Sequence, residues 1–378
     1  MKVSCLQENL AKGLSIVGRA VSTRSTLPVL GNILLAAENG RLKLAATNLE
    51  MGITCWIGAQ VEEEGAVTVP ARTLVDLVNS LPQEHVDLAL IVRTQTLHLQ
   101  CARTQANLKG IDAHEFPILP SADTPGQVIM VGAQELREAV AQTVFAAATE
   151  DTRPILTGVQ ARFQGNQVTL AAADGYRLAV RTAALDQEMD APLSIIIPAR
   201  ALNELLRIAG DQAEPVTIKL PTGRNQVLFH LANVDLVSQL VEGNFPDYQQ
   251  IIPKSHQTRT VMSVAEFRKA CKTSDIFARE SAHTARLKIV PGSDLTPGHL
   301  TLIATSAETG DNVAELDALV EGQPIEIAFN VRYIMDVLNV LDDSQVALET
   351  TNPNSPGRLV PVGRDDSQYV VMPMHIGR

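Results

Sequence analysis

The feature that most constrains this chain is an internal triplication. One pattern, with apolar residues at helical spacing, recurs as CLQENLAKGLSIVGRAV (5–21), GAQELREAVAQTVFAAA (132–148) and SVAEFRKACKTSDIFAR (263–279). A second recurs as VPARTLVDLVNSLP (69–82), IPARALNELLRIAG (197–210) and FNVRYIMDVLNVLD (329–342). A third precedes the second each time: LKLAATN from Leu42, VTLAAAD from Val168 and LTLIATS from Leu300. Arg72, Arg200 and Arg332 are separated by 128 and 132 residues, and Leu44, Leu170 and Leu302 by 126 and 132. That period exceeds the units of about 20–50 residues that build solenoids and propellers, so each copy is a whole domain. A chain of 378 residues holds three of them, each able to bury its own core.

Within each copy the order is helix, strands, helix, strands. Residues 86–102 alternate in the manner of a hairpin, as do 215–232 around Pro221 to Asn225 and 345–362 around Asn352 to Gly357. Each domain therefore reads as α+β, two helices on largely antiparallel sheet. Pro-rich and polar stretches at 117–127 and 249–260 mark the boundaries, giving domains at 1–121, 128–248 and 249–378. Cys5, Cys55, Cys101 and Cys271 lie far apart, with no metal-ligand spacing, and read as small buried hydrophobes. No stretch approaches the roughly 18 consecutive apolar residues that span a bilayer, and the charged N-terminus lacks a signal-peptide pattern, so a cytoplasmic location with no membrane partner is expected.

The strings VSTRSTLPVLGNILL (21–35), ADGYRLAV (173–180), EGNFPDYQQIIP (242–253), FNVRYIMDVL (329–338) and YVVMPM (369–374) together resemble the bacterial DNA polymerase III beta subunit family. The matches fall in all three copies, in the family's order. The resemblance implies a sliding clamp: a homodimer whose six domains close a ring around double-stranded DNA, helices lining the hole and sheets outside. It further implies tethering of the polymerase III catalytic subunit, clamp loader subunits and other polymerases or repair proteins through short linear peptides. The triplication supports closure independently, because a head-to-tail interface that does not close makes filaments. The other reading is a sequence-nonspecific DNA-binding scaffold that forms no ring.

The net charge of −11 argues against a nucleic-acid binder on bulk count alone. The six repeated windows nevertheless hold 11 Lys+Arg and 9 Asp+Glu, a balance of +2 that leaves −13 for the remainder. The partition has the sign a DNA-lining surface needs, although solvated helices favour Arg and Lys in any case. The resemblance places Arg24 and basic residues of the repeated helices near the duplex; the candidates on those helices are Arg72, Arg137, Arg200, Arg207, Lys272 and Arg332.

By resemblance, a peptide-binding cleft is walled by Leu156, Ala173, Gly175, Tyr176, Arg177, Leu178, Pro246, Ile251, Val370, Met372, Pro373 and Met374. Aliphatic and Met side chains make an adaptable pocket for related peptide anchors. YVVMPM also reads as a last strand that finishes a core, but Pro373 interrupts ladder pairing, so Met372 and Met374 need not both be buried. The chain departs from the family at Ala173, a commonly hydroxylated position, and at His375, where Arg is frequent, and it runs on through Ile376, Gly377 and Arg378. The resemblance also puts Arg103, Ala106 and Leu108 of one chain against Ile276 and Phe277 of the other; the alternative for the last two is the core face of the repeated helix.

No Walker loop, GxGxxG, HExxH or GxSxG element is present, and the eight histidines are dispersed. Asp174, followed by Gly175, reads as a turn and not as a catalytic carboxylate. Neither a recognition helix with clustered base-reading side chains nor a basic arm is visible. The expectation is a protein with no catalytic residues, metal or cofactor.

Overall fold

The computed structural model describes residues 1–22, 26–150, 152–210, 212–293 and 296–375. Among these the three copies contribute two α-helices each: α1 (Gln7–Val17) and α2 (Ala71–Ser80), α3 (Ala133–Val144) and α4 (Ala199–Ala209), α5 (Val264–Ala278) and α6 (Val331–Val340). The helical windows read from the sequence start slightly early. Lys2–Leu6, Gly65–Pro70, Leu193–Pro198 and Ile325–Asn330 are strands that run directly into helices. In Lys2–Leu6 the buried residues, Val3 and Cys5, alternate with more exposed neighbours, so period 2 holds up to the residue where the helix takes over.

Each helix buries one stripe. In α6 Val331, Ile334, Val337 and Leu338 are buried at spacings of three and four, and Asn330 caps the helix by accepting from the Arg332 N–H at 2.9 Å. In α1 Gly13 lies so close to the sheet that an added Cβ would stand 2.7 Å from Leu44 Cδ1, so a larger residue there would force the Leu44 side chain to shift.

The chain forms two compact units, Met1–Gln134 with Leu185–Gln187 and Arg200–Leu240, and Glu135–Ala184 with Glu188–Ala199 and Val241–Arg378. The first holds a five-stranded sheet that ends on the edge strand Thr104–Lys109. It also holds a nine-stranded sheet in which Met51–Gly58, from the first copy, pairs antiparallel with Val234–Gln239, from the second. The second unit repeats this plan. Its nine-stranded sheet joins Arg177–Ala184, from the second copy, to Ser367–Val371, from the third. Its four-stranded sheet ends on Gly310–Asp317. The middle copy is thus divided, half of its strands continuing each neighbour's sheet. The three hairpins expected from alternation are present at His85–Cys101, Val216–His230 and Gln345–Pro361. The second boundary stretch ends earlier than expected, because Thr258–Ser263 is a strand of the nine-stranded sheet.

All four cysteines are free and buried, as their spacing suggested. Burial pushes the Cys5 thiol up to about 12 and the Cys55 thiol up to about 11, and raises that of Cys271, from an ordinary 9.0. The unfolded chain releases these protons near pH 9 while the folded chain keeps them. Their contribution to stability is therefore constant below pH 9 and is lost as pH rises toward the folded values, by about 1 kcal/mol per thiol per pH unit. Denaturant unfolding across this range is expected to show a slope that Cys5→Ala and Cys271→Ala reduce. An aromatic disulfide reagent is expected to label none of the four in the native protein at neutral pH.

Candidate peptide cleft and repeat seams

The cleft is built where the second and third copies share a sheet. Leu178 stands opposite Val370 and Arg177 opposite Val371, and Ala171, Ala173, Leu178, Val180 and Val370 form one buried apolar cluster. The segment after Val241 lays Phe245, Tyr248 and Ile252 over this cluster. Burial raises the Tyr248 phenol above its ordinary range. These three residues were missed in the sequence, although all of them stand in the quoted string EGNFPDYQQIIP. Pro246 and Ile251 of the same segment are exposed.

Beside the cluster is a cavity of about 530 Å³ whose lining includes Glu150, Arg153, Leu156, Gly175, Tyr176 and Arg177, together with Tyr333 from α6. Its wall depends on a tight turn. Asp174 Oδ1 accepts from the N–H groups of Tyr176 and Arg177 at 2.8 and 3.0 Å, and Gly175 adopts φ +95°, a conformation side chains resist. The turn leaves Tyr176 61% exposed and stacked on Tyr333 at 6.4 Å between centroids. Tyr333 gave no signal in the sequence beyond its place in FNVRYIMDVL.

The last strand stops at Val371. Beyond it Met372 donates its N–H to the Tyr176 carbonyl and Met374 to the Ala328 carbonyl, both at 2.8 Å. The Met372 side chain is exposed, and Pro373 and Met374 are half-buried. His375 is exposed, and Ile376, Gly377 and Arg378 lie outside the described residues. Under the seam Arg181, 7% exposed, pairs with Asp366, and Arg364 pairs with Asp366 at 3.2 Å and Asp343 at 3.7 Å. Arg181 is the buried member of this set, so removing Asp366 would leave its charge uncompensated.

Of the basic residues, Arg24 lies outside the described residues. Arg72, Arg200, Arg207, Lys272 and Arg332 are exposed and Arg137 is half-buried. Three of them face carboxylates: Arg72 with Asp76 at 3.8 Å, Arg207 with Glu204 at 2.8 Å, and Arg332 with Asp275 at 3.4 Å. Lys12 and Arg19, not singled out from the sequence, share a cavity of about 670 Å³ with Arg207.

At the two outer edges, Arg103 is exposed, Ala106 half-buried and Leu108 buried, while on α5 Ile276 is 53% exposed and Phe277 half-buried. The helix lies against the edge strand Gly310–Asp317, Ser274 donating to Asn312 Oδ1 at 3.1 Å. Val313 of that strand is 60% exposed. Among the described residues no group of three or more His, Cys, Asp or Glu side chains could hold a metal ion, and no helix is long and apolar enough to cross a membrane.

Family models of the DNA polymerase III beta subunit match the chain in three consecutive pieces: its N-terminal domain at 1–120, central domain at 130–247 and C-terminal domain at 249–375. The chain belongs to the DNA polymerase III beta subunit family. Among similar members are the beta sliding clamp of Synechococcus elongatus, 33% identical over the full length of both chains, and that of Staphylococcus aureus, 33% identical over 94% of each. The DNA polymerase sliding clamp of Bacillus subtilis superposes with a TM-score of 0.93 at 28% identity. That of Pseudomonas aeruginosa does so with 0.89 at 31%; each covers all of both chains. In this chain, then, the triplication is three clamp domains of helices and antiparallel sheet, as the sequence implied.

Proposed function

We propose that this chain is a sliding clamp with domains at 1–121, 128–248 and 249–378, two copies closing into a ring that encircles duplex DNA and tethers polymerases to it. One observation carries the ring. Both seams inside the chain use the same register: Met51, first of eight residues, faces Ser238, fifth in its strand, and Arg177, first of eight, faces Val371, fifth in its strand. The third copy's equivalent strand, Gly310–Asp317, and the first copy's, Thr104–Lys109, have no such neighbour among the described residues. Applying the register to them sets Gly310 against Leu108 and Ala314 against Thr104 of a second copy. Directly opposed residues share a face. Ala106 and Leu108 then fall on the side of Asn312, where α5 carries Ile276 and Phe277. Two copies joined head to tail at two such seams leave neither edge open.

Contacts from Arg24 and the helical cations to phosphates supply affinity without sequence information. Because Arg72, Arg207 and Arg332 already face carboxylates, each phosphate contact is weak and exchanges readily, which suits sliding. Retention comes from topology, and equilibrium binding to linear duplex is salt-sensitive. The cleft takes short linear peptides of polymerases and clamp loader, Met372 and Met374 adapting to their anchors. Catalysis resides in those partners, and the clamp works in the cytoplasm. Sedimentation equilibrium tests the ring: the expected mass is twice the chain's 40.7 kDa, and a monomer at micromolar concentration would contradict it.

A further inference from the structure

Arg177 carries the buried cation of the cavity wall, and its geometry shows how little of it is available. Its side chain is 13% exposed. Nε donates to Asp174 Oδ2 at 3.0 Å, Nη1 to Asp336 Oδ2, and Nη2 to the Phe145 carbonyl at 2.7 Å. The guanidinium carbon stands 4.7 Å from the Tyr333 ring centroid and 5.5 Å from that of Phe145. Two carboxylates, a carbonyl and two aromatic rings thus engage one side chain. A peptide carboxylate reaching for it would have to displace Asp336, which is 42% exposed and the outermost of these partners. An anion gains from a guanidinium only the surplus over the partner it replaces, and exchanging one carboxylate for another leaves almost none.

We infer that Asp336, on helix α6, is a positioning and specificity-determining residue of the peptide cleft: with Asp174 it occupies Arg177, which serves as wall and staple and not as a receptor for acidic peptides. This rests on the cleft reading given above. The arrangement also ties the turn at Asp174, the end of α3 at Phe145 and helix α6 to one side chain, fixing the wall on which Tyr176 stacks. Among the described residues that line the cavity the exposed cation is Arg153, so a preference of this cavity for an acidic peptide runs through that residue.

The test uses the full chain and synthetic peptides that share one aliphatic–aromatic anchor pair and carry Asp or Asn at each flanking position in turn. In an Arg153→Ala background, no position favours Asp. Adding Asp336→Asn, or Asp336→Ala in case the new amide still bonds Arg177, leaves a donor open and improves the Asp-to-Asn affinity ratio by about tenfold at the position beside Arg177. A merely structural loss would weaken both peptides together and leave the ratio unmoved. An unchanged ratio in both variants, or an Asp preference already present in Arg153→Ala, overturns the inference while leaving the cleft intact. Failure of the neutral peptides to bind the unmodified chain overturns the cleft reading and this inference with it.

Discussion

A chain carrying Ile276→Asp and Val313→Asp is expected to sediment as a monomer. Both side chains are exposed in the single chain, at 53% and 60%, so the substitutions alter its own folding by no more than about 0.5 kcal/mol. In the proposed seam they bring carboxylates to the joint between the Gly310–Asp317 edge and the partner's Thr104–Lys109. An unpaired charge desolvated at position 276 costs about 2 kcal/mol or more, and the ring closes through two seams, so association weakens roughly a thousandfold; Val313, opposite Gln105 on the other sheet face, adds less. The contrast between unchanged denaturant midpoint and halved mass is what distinguishes a lost seam from a damaged fold. A dimer that persists with both changes in place would reject the assignment.

Ending the chain after Val371 is expected to abolish peptide capture and spare the dimer. The cut leaves the strand Ser367–Val371 whole and removes the backbone bonds of Met372 to Tyr176 and Met374 to Ala328, about 1–2 kcal/mol in all. It also removes two Met side chains that lie outside the core. If each contributes the roughly 1.5–3 kcal/mol of a well-buried apolar group when a peptide covers it, affinity falls at least about a hundredfold. Fluorescence anisotropy with a labelled polymerase-derived peptide, alongside sedimentation, reads both effects. Capture undiminished by the cut would remove Met372, Pro373 and Met374 from the cleft.

Much of this was legible in the sequence because repetition is a local pattern written three times. The helices, the hairpins, the buried thiols and the apolar strings around Leu178 and Val370 all follow from spacing or resemblance. Strand sharing was not legible. That Leu178 meets Val370, or Val237 meets Gly52, depends on pairing between residues far apart, and each strand's own alternation looks the same whichever neighbour it has. The environment of Arg177 was hidden for the same reason, its partner Asp336 lying 159 residues away. Charge counting fell short in a smaller way: it included Asp76, Glu204 and Asp275 in the balance but could not show that they stand against Arg72, Arg207 and Arg332. Tyr333 was passed over because a half-buried aromatic in a repeat reads as core until its neighbours are known, and Tyr248 because it stands next to a stretch read as a boundary.

The most direct test of the ring is retention on DNA as a function of topology. Clamp loaded onto a nicked circle by its loader is separated from free protein, and dissociation is followed before and after a single cut linearises the DNA. Long residence on the circle and rapid loss from the linear form, at one salt concentration and with identical sequence, is the predicted result. Equal dissociation from both would mean that contacts and not encirclement hold the protein, and the account of a closed ring would fall.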